Sequence, residues 1–169
     1  MRIARYESAH AKNNIMQRKK ENNKKSINAS KFKIAVVVSS FNKDITGKML
    51  EGAKETLNQN KVRAGNVKVV EVPGSFEIPL ACQKLAQTKK YDGIVAIGCV
   101  IKGETDHYYY ISNEVSRGIM EVMLNFSIPI GFGVITTNNL KQAKARSSKK
   151  SNKGSEAVEA VLEVLNQFS

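Results

Sequence analysis

From Lys33 onward the chain alternates between two hydrophobic rhythms. Four short runs, "KIAVVVSS", "VKVVEVPG", "YDGIVAIGCVI" and "IPIGFGVITT", read as strands, and the first is a β-branched run typical of a strand buried on both faces. Between them, apolar residues recur at helical spacing. Ile45, Met49, Ala53 and Leu57 predict an amphipathic helix over Asp44–Asn60. "SFEIPLACQKLAQTKK" predicts a second helix. Pro79 is tolerated only in a first turn, so this helix should begin near Ile78. "DHYYYISNEVSRGIMEVMLNF" is the longest, with Ile111, Val115, Ile119, Val122 and Met123 on one face. "NNLKQAKARS" predicts a short helix with Asn138 as its N-cap. A basic break, "SKKSNKG", precedes a closing apolar-striped helix, "SEAVEAVLEVLNQF".

The order βαβαβαβαα predicts an α/β fold: a three-layer αβα sandwich around a four-stranded parallel sheet. Ligands of such sheets bind outside the carboxyl ends of the strands. The segments to inspect are therefore "SSFN", "EVPGSFE", "GCVIKGETDH" and "GFGVITT".

Composition changes this picture mainly at the N-terminus. The 169 residues carry a formal charge of +12, a balance that raises nucleic acid as a partner. Residues 1–31 hold nine Lys/Arg and two acids, a net +7, leaving +5 for the rest. That Asn/Lys-rich leader lacks an apolar period and is expected to be a disordered basic extension, with the folded domain at 32–169. It has no apolar core of a secretory signal, and no apolar run approaches the ~20 residues of a membrane span. A cytoplasmic location is expected. Cys82 and Cys99 are too few and too far apart for a zinc pattern, so free buried thiols are expected, with no metal.

Each strand end carries two readings. Phe41 is either a core aromatic capping the sheet or a ring on which a flat heterocycle stacks. Ser75, Phe76 and Glu77 follow a Pro-Gly turn just ahead of a helix. Glu77 is either a first-turn helix acid or, with Ser75, a binder of a polyol chain. In "KGETDH", Gly103 permits close backbone approach, and Glu104 and Thr105 offer amide and hydroxyl donors at a helix start, where phosphates bind. His107, one of two histidines in the chain, is of the side-chain type that can give and take protons near neutral pH. The alternative makes Thr105 a helix cap and His107 a surface residue. Arg146, Lys149, Lys150 and Lys153 form either a solvated face or, through one arginine, a phosphate contact. No Walker lysine or GxGxxG is present.

The blocks "SFN", "VPGSFEIP", "GCVIKGETDHYYYISNEVSRGI", "IPIGFGVITT", "QAKAR" and "NKG" occur here in order. Together they resemble the 6,7-dimethyl-8-ribityllumazine synthase family from about Phe32 to the C-terminus. The resemblance implies a flavodoxin-like topology. It implies condensation of 5-amino-6-(D-ribitylamino)uracil with 3,4-dihydroxy-2-butanone 4-phosphate, the penultimate step of riboflavin biosynthesis, with no cofactor. Phe41 would stack on the pyrimidine, and Ser75, Phe76 and Glu77 would hold the ribityl chain. Cys99, Val100 and Ile101 would contact the pyrimidine through the main chain. Glu104, Thr105 and Arg146 would bind phosphate, and His107 would move protons. Phe132 would close the site of a neighbouring subunit. Asn42 and Lys153 are further candidates. A homo-oligomer is implied, a pentamer and in some members a larger shell.

The chain departs from the family at Ser40, where many members carry arginine. Its "RSSKKSNKG" lacks the glycines of many shell-forming members. Two rival readings are an archaeal-type riboflavin synthase and a basic nucleic-acid-binding module. A third is a catalytically silent scaffold that binds a flavin-like ligand.

Overall fold

The runs Ile34–Ser39 and Gly93–Ile101 become central strands because their apolar, largely β-branched residues can be buried on both sides of a sheet, whereas the edge run Val67–Val72 leaves Lys68 and Glu71 exposed. A computed structural model describes residues 27–169. The strands are β1 (Ile34–Ser39), β2 (Val67–Val72), β3 (Gly93–Ile101) and β4 (Ile130–Thr137). The helices are α1 (Lys43–Gln59), α2 (Ile78–Gln87), α3 (His107–Phe126), α4 (Leu140–Arg146) and α5 (Lys153–Phe168). The strands pair in parallel in the order β2-β1-β3-β4. This is the expected four-stranded sandwich, with the chain reversing its direction of travel across the sheet between β1 and β3.

Side chains alternate across the sheet and build two cores. Ile34, Val36 and Val38 of β1, with Val95, Ile97 and Cys99 of β3, pack against α1, α4 and α5. Ala35, Val37, Ile94 and Ala96 pack against α2 and α3. Helix α5 approaches β4 backbone to backbone. A methyl group at Gly131 would lie 2.2 Å from the Ala157 carbonyl oxygen, so only glycine fits there.

Two helix starts differ from the expectation. The N-cap of α4 is Asn139, not Asn138: the Asn139 side chain accepts a hydrogen bond from the Gln142 N–H. The Gln142 side chain accepts from the Asn138 N–H, the residue just before the cap. Helix α5 begins at Lys153, inside the stretch expected to be a break. Asn152 Oδ1 accepts from the N–H groups of Gly154 and Ser155, and its amide donates to the Lys48 carbonyl on α1 at 2.9 Å. At the other end, the Ile27 and Ala29 N–H groups bond to the side chain and backbone of Asn60, and Ala29 is buried. The last residues of the expected leader thus lie on the domain. Expectations for residues 1–26 fall outside the described residues.

Candidate active site

The sheet opens at its carboxyl edge because its strands stop pairing at different points. Pairing of β1 with β3 ends at Val38–Ile97, whereas β3 stays paired with β4 through Ile101–Thr137. The chain leaving β1 veers toward β2. The Ser40 N–H donates to the Val72 carbonyl at 2.8 Å and the Phe41 N–H to the Pro73 carbonyl at 3.0 Å. The Ser40 hydroxyl bonds to the same two carbonyls. From Gly98 to Ile101, β3 is therefore left without a strand partner on its β1 side.

A cleft of about 780 Å³ lies at this gap. Its wall includes Phe41 after β1, Ser75, Phe76 and Glu77 after β2, and Cys99, Val100 and Ile101 at the end of β3. Gly103, Thr105 and His107 complete it from the loop into α3. Phe41 is 68% exposed and Phe76 55% exposed, so neither ring caps the core. The hydroxyl of Ser75 is buried and has no hydrogen-bond partner among the described residues. An unpaired buried hydroxyl costs about 1–3 kcal/mol, a cost that a bound polar group removes.

The loop Lys102–Asp106 is anchored twice through its first residue. The Lys102 N–H donates to the Thr137 carbonyl at 2.8 Å. The Lys102 ammonium lies 3.0 Å from the Tyr109 hydroxyl and 5.2 Å from its ring centroid, so it contacts the oxygen rather than the ring face. That contact raises the Lys102 pKa above its ordinary value. Neither Thr105 nor Asp106 caps α3. Asp106 occupies the N-cap position without a side-chain hydrogen bond to the helix. The first turn of this 20-residue helix thus has no side-chain cap, a setting that attracts anions. His107 is the first helical residue, beside that turn.

Cys99 turns its side chain into the core on the α1 face. Burial pushes its thiol up to about 11, and that of Cys82 to about 12, so both remain protonated and poorly nucleophilic at neutral pH. Any contact from Cys99 to a ligand then falls to its main chain.

Several candidates lie outside the cleft wall. Glu104 is exposed on the loop. Asn42 donates its side-chain N–H to the Cys99 carbonyl at 3.0 Å. Arg146, half-buried at the end of α4, donates to the Gln142 carbonyl of its own helix at 3.2 Å. Lys153 pairs with Glu156 at 2.7 Å. Phe132 is 49% exposed on the edge strand β4, on the face that its neighbours Ile130 and Val134 share with α2 and α3. Sequence reasoning left the three tyrosines unassigned. Tyr108 and Tyr110 line the cleft, and Tyr109 meets Tyr108 edge-on at 5.3 Å between centroids.

The parallel sheet and its switch-point cleft define an α/β protein of flavodoxin-like architecture, a class of fold whose ligands bind at the strand ends. Among the described residues, no group of acidic, histidine or cysteine side chains is placed to hold a metal ion. No described helix is long and apolar enough to cross a membrane. The model of the 6,7-dimethyl-8-ribityllumazine synthase family matches residues 31–169. The chain belongs to that family, whose members are transferases of riboflavin biosynthesis.

Proposed function

We propose that the protein condenses 5-amino-6-(D-ribitylamino)uracil with 3,4-dihydroxy-2-butanone 4-phosphate to give 6,7-dimethyl-8-ribityllumazine, phosphate and water. The observation that carries this reading is one cleft with three chemically distinct parts. Exposed rings and a bare β3 backbone edge suit a pyrimidine. Ser75 and Glu77 suit a ribityl chain. The Gly103–His107 loop at the head of α3 suits a phosphate, with an imidazole beside it.

In this reading the 5-amino group attacks the ketone, and loss of water gives an imine. Phosphate leaves by β-elimination, and the resulting enol becomes a ketone. The ribitylamino nitrogen closes the ring on that carbonyl, releasing a second water. His107 relays the protons. Thr105 and the α3 amides hold the phosphate, with Glu104 contributing its main chain. Arg146 turns from its own helix carbonyl to the same anion, where the bond is charge-assisted. Lys153, paired with Glu156 outside the cleft wall, is a further candidate for substrate contact. Holding two substrates together supplies much of the acceleration. Phe132, outside this chain's cleft wall, closes that of a neighbouring subunit in a homopentamer. The enzyme is cytoplasmic and uses no metal or organic cofactor.

The direct test incubates purified protein with both substrates and follows the lumazine chromophore. Product should appear with both substrates and with neither alone. Absence of product at saturating substrate would refute the proposal.

A further inference from the structure

The β1–α1 junction has to satisfy two demands at one residue. The chain must turn sharply from β1 into α1, and residue 42 does so in the left-handed region, at φ 59° and ψ 44°. The Asn42 carbonyl then accepts the N–H groups of Ile45 and Thr46, so the turn is built into the start of α1. The same residue reaches across the gap between β1 and β3. Its amide N–H donates to the Cys99 carbonyl, 57 positions away, on the β3 stretch that has no β1 partner. Glycine satisfies the backbone demand but has no donor. Aspartate tolerates the left-handed region but presents an acceptor to a carbonyl. Among these residues only asparagine meets both demands.

We propose that Asn42 is a positioning residue for the heterocycle end of the cleft, not a substrate ligand. It does not line the cleft, but its neighbour Phe41 does, and so does Cys99, whose carbonyl it holds. The amide takes the place of the missing β1 partner at one peptide. It fixes the spacing between the Phe41 ring and the bare edge of β3, the two surfaces between which a flat ring would lie. The loop of Gly103, Thr105 and His107 leaves the same end of β3 just beyond Cys99, but it is anchored on the β4 side through the Lys102 N–H and the Thr137 carbonyl and takes no bond from Asn42. The effect should therefore be confined to one substrate. This inference rests on the proposed reaction only for the identity of that substrate.

The test compares Asn42→Gly and Asn42→Asp with the wild type. Both should raise KM for the ribitylaminouracil, Asn42→Gly by about five- to tenfold for one lost hydrogen bond and Asn42→Asp by more. KM for the butanone phosphate should stay within about twofold, because its contacts are elsewhere. In ligand-free protein, amide exchange should quicken at residues 40–45 and 98–101, with the core of α3 unchanged. An Asn42→Gly variant with wild-type KM values and exchange would overturn the inference. So would an equal rise in both KM values, or faster exchange throughout the molecule, since either marks a general structural role. If the wild type makes no lumazine, the proposed reaction fails by itself. The location of the exchange change then decides the role of Asn42 alone.

Discussion

His107 and Arg146 occupy unequal positions, and their loss should differ in kind. His107 lines the cleft at the first position of α3. Replacing it with alanine should lower kcat by about 10- to 100-fold, because water can carry protons less efficiently. Arg146 lies outside the cleft wall and is bonded to its own helix. Its alanine variant should lose more, upwards of about 100-fold in kcat/KM, mainly through KM for the phosphate substrate. Steady-state kinetics with each substrate varied in turn separates the two. Full activity of Arg146→Ala at low butanone phosphate would remove Arg146 from the anion site. The rings at the cleft follow the same logic of exposure. Phe41, Phe76 and Tyr110 are each more than half exposed, a cost in water that a bound heterocycle would offset.

Among the elements, α5 depends on one side chain for both its cap and a tie to its neighbour. Asn152 caps its first turn and ties it to α1 through the Lys48 carbonyl. Asn152→Ala removes both functions and should lower unfolding free energy by about 2 kcal/mol, measured by urea denaturation with an unchanged slope. A loss below about 0.5 kcal/mol would show that the cap contributes little. This helix start also shows where the sequence was legible. The four strands, α2 and α3 were readable because apolar period and proline placement act locally. The start of α5 was not, because the basic Ser/Lys run concealed the capping signal of Asn152. At α4 the bond from the Gln142 N–H to the Asn139 side chain overturns the expected cap Asn138, because spacing alone does not separate two adjacent asparagines.

At the scale of the molecule, the sequence named most of the cleft because parallel sheets place ligands at strand ends. Phe41, Ser75, Phe76, Glu77, Cys99, Val100, Ile101, Thr105 and His107 come together as lining. The tyrosines escaped because helical phase against a cleft is set by packing, which no local pattern reports. The placements of Arg146 and Phe132 depend on how α4 and β4 sit against the rest, which no local pattern reports. If Phe132 serves a neighbour's cleft, Phe132→Ala and Arg146→Ala subunits should complement one another. Mixing the two variants after dissociation and reassembly should restore part of the wild-type rate, because some clefts then draw both intact residues. No recovery in reassembled mixtures would argue for a site complete within one subunit.

The central claim is that one cleft joins phosphate elimination to lumazine formation. Following both products in a single reaction of the wild-type protein tests it most directly. Phosphate and lumazine should appear together, in equal amounts, and only when both substrates are present. Phosphate released without lumazine, or lumazine absent altogether, would contradict it.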